Sequence, residues 1–321
     1  MGRVIVLGST ITDLVARAHR LPLPGEALIG DDFTTYLGGK GFNQAVAAAR
    51  MGADVTFIGR VGVDAYGDAF SATLDKEGID HTHLTRDATI GTGTACVMIG
   101  TDRGQNAIIV LPQANLTLTA GMVEEAMQSA LQGVAGERTI FMAQCEMRLA
   151  TITAGLRCAR NAGMTTVLNA APAPREPFSQ ELFALIDILV VNESEAGTLS
   201  NLTVDTPESA MEAARRLIAR GPAHVIVTLG KQGSIWSSRK VGEEELNHKW
   251  IPAIPVTQVD ATAAGDAFCG ALAAQLAQGL PIEEALHQAS VAGALAVTRR
   301  GAFPSLPTQE EVQTFLASSS R

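Results

Sequence analysis

The stretch VDATAAGDAFCGALAAQL (259–276) joins a small turn holding two aspartates to a helix rich in Ala and Leu. Asp266 stands at the mouth of that helix, directly after Ala263, Ala264 and Gly265. An acid there has two readings. It caps the helix, because carboxylates favour the positive end of the helix dipole. Or it is a base beside a nest of free N–H groups, where a phosphate would be held and an attacking hydroxyl would surrender its proton. The turn alone does not choose.

A second stretch, GGKGFNQAVAAARMGA (38–53), places three glycines within four residues ahead of a regular helix. A bare Gly-Gly is a strand-to-helix turn. Lys40 and Asn43 add donors suited to a hydroxylated ligand. The spacing is not that of a Walker A loop, since Gly41 rather than Ser or Thr follows Lys40. Nor does G-x-G-x-x-G follow the first strand, where Gly8 stands alone, so a Rossmann dehydrogenase is disfavoured.

Outward from these turns, short β-rich runs alternate with helical ones. Residues 3–8, 55–61, 139–143, 165–169, 187–191 and 224–230 read as strands apolar on both faces, the mark of a parallel sheet covered on each side. Helical patterns occupy 40–51, 66–77, 119–132, 148–162 and 206–219. Thr206 and Pro207 start the last of these, and Thr308 with Glu311 forms a capping box for a final helix. The alternation predicts an α/β fold with a doubly wound, mostly parallel sheet and helices on both faces. Residues 14–37 and 92–111 break the alternation. They read as antiparallel strands of a small β lid inserted within one domain spanning 1–321, a candidate lid or dimer surface.

The composition sets outer limits. Hydrophobic residues make up 46% of the 321-residue chain and charged residues 18%, ordinary for a protein with a buried core. A net charge of −9 argues against a sequence-independent grip on nucleic acid. The four cysteines show no C-x-x-C pair, which suggests neither a disulfide framework nor a zinc site and fits a cytoplasmic protein. No apolar run is long enough for a membrane span, and the opening segment reads as a strand rather than a signal peptide.

Taken together, GGKGFNQA near residue 40 and DATAAGDAF near residue 260 resemble the paired signatures of the ribokinase-like (PfkB-type) carbohydrate kinases. The resemblance runs from about Val4 to Pro307. It includes LGSTITD (7–13), LNAAPA (168–173), VNESEA (191–196), TLGKQG (228–233) and AVTRRGAFPS (296–305). It implies an enzyme in which a sugar hydroxyl attacks the γ-phosphate of ATP. Asp266 is then the general base, and the N–H groups of Ala263, Ala264 and Gly265 form the anion hole. Asp13, Gly39, Lys40, Asn43 and Glu146 hold the sugar. Asn192 and Glu195 match the element that organises Mg²⁺ and its waters. Thr228, Gly230 and Gly233 lie on the nucleotide side. Asp260, Thr262, Ala296, Arg299, Gly301 and Ser305 match loops that bind K⁺, chiefly through main-chain carbonyls. A homodimer pairing through the lid is expected on the same ground.

Two positions depart from the family pattern. Ala261 replaces the Thr or Ser after the first Asp of the turn. Ile11 replaces the Asn that ribokinases carry two residues before the substrate Asp, and an apolar side chain cannot satisfy a sugar hydroxyl. Related deoxyribokinases are apolar there, so ribose and 2-deoxyribose are both candidate substrates. Three further readings stay open. A nucleoside kinase needs an aromatic pocket, and only 4% of the chain is aromatic. A phosphofructokinase-type enzyme needs cations for a substrate phosphate, for which Arg17, Arg20 and Arg103 are candidates. A non-catalytic sugar or nucleotide sensor would keep the fold without the reaction.

Overall fold

The computed structural model describes residues 2–102, 104–132, 138–239 and 246–319. In chain order the strands are β1 (Arg3–Leu7), β2 (Ile11–Ala18), β3 (Asp32–Gly38), β4 (Asp54–Gly62), β5 (Asp80–Asp87), β6 (Gly93–Gly100) and β7 (Gln105–Leu111). They continue as β8 (Thr139–Gln144), β9 (Thr165–Asn169), β10 (Ile188–Asn192), β11 (His224–Thr228), β12 (Ser234–Arg239) and β13 (Leu246–Ile251). The helices are α1 (Lys40–Arg50), α2 (Ala65–Lys76), α3 (Ala120–Ala130), α4 (Leu149–Asn161) and α5 (Gln180–Ala184). After them come α6 (Glu193–Ser200), α7 (Pro207–Ile218), α8 (Ala264–Ala277), α9 (Ile282–Ala296) and α10 (Gln309–Ser319).

Nine strands form the large sheet in the order β13-β12-β11-β10-β9-β8-β1-β4-β5. Seven of them pair in parallel, and β12 and β13 run antiparallel at one edge. Their side chains feed two cores, one on each face. Val4, Val6 and Met142 pack under α1, α8 and α9 on one side. Ile5, Leu7 and Phe141 pack with α3, α4 and α7 on the other. Alternate residues of one strand serving opposite cores explain why these runs are apolar throughout rather than alternating. Strands β5 and β13 at the two edges, and β12 next to β13, are absent from the sequence reading. Their polar residues, as in DHTHLTRD (80–87), hide the period.

The small sheet, β3-β2-β6-β7, stands off the first. Its hairpins pair antiparallel as expected, but β2 and β6 at its centre run parallel. The sheet also begins at Ile11, three residues earlier than the reading of 14–37. Local turn chemistry identifies a hairpin, whereas the pairing of two hairpins is a long-range contact with no local signal. At the hinge, Asn115 accepts the Thr10 N–H (2.9 Å) and donates to the Thr10 carbonyl (2.8 Å), acting as a substitute strand partner where β1 passes into β2.

Gly8 and the glycines of 38–41 now have a common reason. A Cβ on Gly8 would lie 2.3 Å from the Gly41 Cα, and one on Gly39 would lie 2.7 Å from the Ile11 nitrogen. The exit of β1 runs directly against the start of α1, and Gly39 also takes φ 89°, which a side chain would strain.

Candidate active site

Strands β1, β8, β9, β10 and β11 all point their carboxyl ends to one edge of the large sheet, the edge at which open α/β sheets bind ligands. From these ends come Ser9, Glu146, Asn169, Asn192 and Thr228. Helices α1 and α8 bring Lys40, Asn43, Gln44 and Asp266 to the same edge, and β2 of the small sheet contributes Asp13.

Asp266 is the centre of the cluster and is 6% exposed. It lies in the first turn of α8, yet its carboxylate does not cap that helix. Its Oδ2 accepts the Asn43 amide at 2.9 Å and its Oδ1 accepts the Gln44 amide at 3.0 Å. The cap reading of Asp266 is thereby corrected: its side chain faces α1 instead of its own helix.

The capping position belongs to Ala263, which has no side-chain oxygen and sits in the left-handed region at φ 61°, ψ 8°. That conformation costs a non-glycine residue about 1–3 kcal/mol. Helices α2, α3, α5, α6 and α7 are capped by Asp64, Thr119, Ser179, Asn192 and Thr206, whereas α4 and α9 have no side-chain cap. At α1 and α8, whose N-termini face the site, the N-cap residue makes no side-chain bond; at α1 the Glu146 carboxylate takes the Lys40 N–H (2.8 Å) and the Ser9 hydroxyl the Gly41 N–H (3.3 Å). Ala264 directs its N–H weakly to the Ala261 carbonyl (3.3 Å). A Cβ at Gly265 would meet nothing within 4 Å. That glycine keeps open the space above the helix end.

Around Asp266 stand Asp13, Glu146 and Glu195, with Lys40 among them. Burial, then the fields of Glu146 and Asp266, push the Asp13 carboxyl from 3.8 up to about 6. Burial also raises Glu146, against the opposing pull of Lys40, Ser9 and the Lys40 N–H. Glu195 is raised chiefly by burial too. Burial works against the Lys40 ammonium, but Asp266, Glu146 and Glu195 outweigh it and the net shift is upward. Four carboxyl groups around one ammonium leave an excess of acceptors, which suits ligands that bring hydroxyl donors or cations. Ser9, unassigned from sequence, holds the cluster together. Its hydroxyl donates to Glu146 Oε2 (2.5 Å), the oxygen that also accepts the Lys40 N–H (2.8 Å).

Ile11 is 3% exposed and shares the face of β2 that carries Asp13, two residues away. It belongs to neither large-sheet core.

Asn192 and Glu195 form a reciprocal capping box at the start of α6. Glu195 Oε1 accepts the Asn192 amide (3.0 Å) and its Oε2 accepts the Asn192 N–H (2.9 Å). Thr228 ends β11 and donates to the Val191 carbonyl (3.3 Å). Gly230, at φ 52°, has open space where a Cβ would stand. Gly233 has a packing reason of its own, since a Cβ there would lie 2.1 Å from the Ile251 carbonyl oxygen.

The turn and the 296–305 loop meet at Asp260. Its carboxylate accepts the Thr262 N–H (2.9 Å) and hydroxyl (2.6 Å) on one oxygen and the Gly301 N–H (3.0 Å) on the other. Burial opposes the charged form, but these donors outweigh it and hold Asp260 below the usual carboxylate range. The brace that Ala261 lacks is thus supplied by Thr262. The Arg299 guanidinium turns away to pair with Glu311 (2.5 Å), its N–H takes the Ala296 carbonyl (3.2 Å), and Ser305 is buried against Ala302. Among the cations considered for a substrate phosphate, Arg17 pairs with Asp32 and Arg20 with Glu26. Arg103 lies outside the described residues.

A carboxylate oriented by amides, next to an uncapped helix start and a cluster of hydroxyl acceptors, suits phosphoryl transfer to an alcohol. Comparison with known proteins agrees. Residues 1–309 match the family model described as pfkB family carbohydrate kinase. The chain belongs to this family, and it is a sugar kinase. It is 35% identical over 312 residues to a ribokinase of Staphylococcus aureus (strain COL), covering 97% of this chain and 98% of the relative. It is 31% identical to a deoxyribokinase of Salmonella typhi, covering 98% of each. Among solved structures, an Arabidopsis thaliana ribokinase complexed with ribose and ATP superposes with TM-score 0.85 at 30% identity, covering 98% of both chains.

Proposed function

We infer that this enzyme transfers the γ-phosphoryl group of ATP to a hydroxyl of a pentose, ribose or 2-deoxyribose. The observation that carries the reading is Asp266, buried and fixed by two amides at the open mouth of α8. Asp13, Gly39, Lys40, Asn43 and Glu146 bind the sugar hydroxyls, and Asp266 takes the proton of the attacking one. The free N–H groups around Gly265 receive charge on the transferred phosphoryl group. Asn192, Thr228, Gly230 and Gly233 line the nucleotide side. The whole chain acts as one kinase unit with the small sheet as its lid.

Among the described residues no group of three or more His, Cys, Asp or Glu is arranged to hold a metal ion. Mg²⁺ carried on phosphate oxygens suits that pattern, with Glu195 reaching it through water, because such an ion keeps most of its waters. When bound it neutralises phosphate charge. The Glu195 carboxyl, raised by burial against the pull of Lys40 and Asn192, fits such a partner. K⁺ is assigned to the main chain of the joined loops at Asp260, Thr262, Ala296, Arg299, Gly301 and Ser305. The Asp260–Gly301 bond already holds these loops together. The lid is also the dimer surface: Ile108 to Leu111 expose a continuous apolar strip that a second lid would cover. Among the described residues no helix is long and apolar enough to cross a membrane.

The engaged states of Arg17 and Arg20 weigh against a phosphosugar substrate. Ile11 weighs towards the less hydroxylated pentose, since leaving a buried hydroxyl unpaired costs about 1–3 kcal/mol. The test is ADP release with Mg²⁺-ATP across pentoses, deoxypentoses, hexoses, phosphosugars and nucleosides, with and without K⁺. The expected result is a K⁺-stimulated pentose response, with 2-deoxyribose used at least as well as ribose and Ile11→Asn improving ribose. Strong ribose preference unaffected by Ile11→Asn would remove the assignment of Ile11.

A further inference from the structure

Asp266 does not stand alone in the core. Gln44 is wholly buried on α1, and its two amide hydrogens serve two acceptors: Asp266 Oδ1 at 3.0 Å and Asn169 Oδ1 at 3.0 Å. Its own carbonyl oxygen accepts the amide of Gln144, also wholly buried, at 2.8 Å. Asn169 is anchored in turn through its amide to the Val190 carbonyl (3.2 Å). Two branches thus meet at Gln44: the Gln144 and Gln44 amides donate in sequence towards the Asp266 carboxylate, while the second Gln44 hydrogen is anchored on Asn169, which donates onward to the Val190 carbonyl. Hydrogen bonds aligned in this way polarise one another in a low-dielectric interior.

The two amides on Asp266 differ in kind. Asn43 belongs to the sugar-binding set and, besides its bond to Oδ2, has a buried carbonyl oxygen without a hydrogen-bond partner. Gln44 points away from the sugar residues into the core. We propose that Gln44, braced by Gln144 and Asn169, is the positioning residue of the reaction: it fixes Asp266 through Oδ1 and leaves Oδ2 as the oxygen that receives the sugar proton. Asn43 is then free to exchange its Oδ2 contact for a sugar hydroxyl, while the Gln44 bond persists through the cycle. The proposal rests on Asp266 as general base. No ionisable group takes part in the relay itself; the charged or titratable neighbours of Asp266 are Lys40, Asp13, Glu146 and Glu195, with Cys269 one turn along α8.

The relay separates chemistry from binding. Gln44→Met keeps the volume and removes the donor, and Gln144→Met removes only the brace behind it. Gln44→Met should lower kcat about 10- to 100-fold, the usual effect of deleting a hydrogen bond to a charged group. The KM for the sugar and the Kd for ATP should stay within about twofold. Gln144→Met should lower kcat several-fold alone and add nothing in the Gln44→Met background, because residues of one network are not additive. If Gln44→Met fails to fold, Gln144→Met carries the test by its split between kcat and KM. Unchanged kcat, a loss confined to KM, or additive effects of the two substitutions would overturn the relay. A wild-type enzyme silent towards every sugar would instead overturn the kinase reading beneath it, and the relay with it.

Discussion

Every residue of β8, inside the large sheet, is buried, whereas Ile108 to Leu111 of β7, at the edge of the small sheet, are all exposed and Ile109 reaches 60%. The same contrast divides the site. Asp266, Gln44 and Glu146 are fixed to the large sheet and its helices through short bonds across more than a hundred residues of sequence. Asp13 and Ile11 ride on the small sheet, which meets the rest at a hinge pinned by Asn115. Parts that must stay within a fraction of an ångström during phosphoryl transfer sit in the doubly covered sheet. On the proposed function, the parts that select the sugar sit on the small sheet. Rate and selectivity would then be carried by different layers, and substitutions should separate them.

The largest effect is expected at the centre of the rigid layer. Asp266→Asn should lower kcat by about 10²–10⁴, the range for removing a general base, with ATP binding retained in calorimetry. Retained phosphoryl transfer would deny Asp266 its role, and lost ATP binding would make the residue structural.

Stability should divide along the same line. Phe141→Ala, which opens the core beneath β8, should cost about 3–5 kcal/mol in denaturant unfolding. Ile109→Ser, on the exposed strip, should change unfolding by less than about 0.5 kcal/mol while converting the dimer to a monomer in light scattering. A monomeric wild type would leave that strip without its assigned partner.

The smallest effect is in pH. In the proposed function Asp13 binds sugar as a carboxylate, and burial with the fields of Glu146 and Asp266 pushes its carboxyl up to about 6. Sugar kcat/KM should therefore rise as pH increases through about 6 and level off above it, and Asp13→Asn should flatten that rise. Stability takes the opposite sign. Between the unfolded value near 3.8 and about 6, the folded chain holds a proton that the unfolded chain has lost. This group's contribution thus falls as pH rises through that window. A kcat/KM profile identical in Asp13→Asn would move the titration to Glu146.

Much of this was legible in the chain because it is local. The parallel strands announced themselves as apolar runs, since both faces are covered. Thr206, Pro207, Thr308 and Glu311 marked helix starts that the structure places at α7 and α10. Asp266 and the Gly-Gly-Lys-Gly turn were visible as chemistry out of place beside apolar helices. The roles of Ser9, Gln44, Gln144 and Asn169 were not. A buried amide has no sequence signature, because only burial makes its bonds necessary and its partners are distant in the chain: those of Gln44 lie 100, 125 and 222 residues away.

The sequence by itself determined the covered parallel sheet, the two signature turns and the family, because these rest on periodicity and on residue types within a few positions of one another. Only the tertiary structure decided which oxygen of Asp266 meets which amide, and that α8 begins uncapped. It alone joined the two hairpins of the small sheet through a parallel pair and paired Arg17 with Asp32 and Arg20 with Glu26. Those outcomes depend on which distant groups share a dry interior, where each buried polar atom has to find its partner in three dimensions.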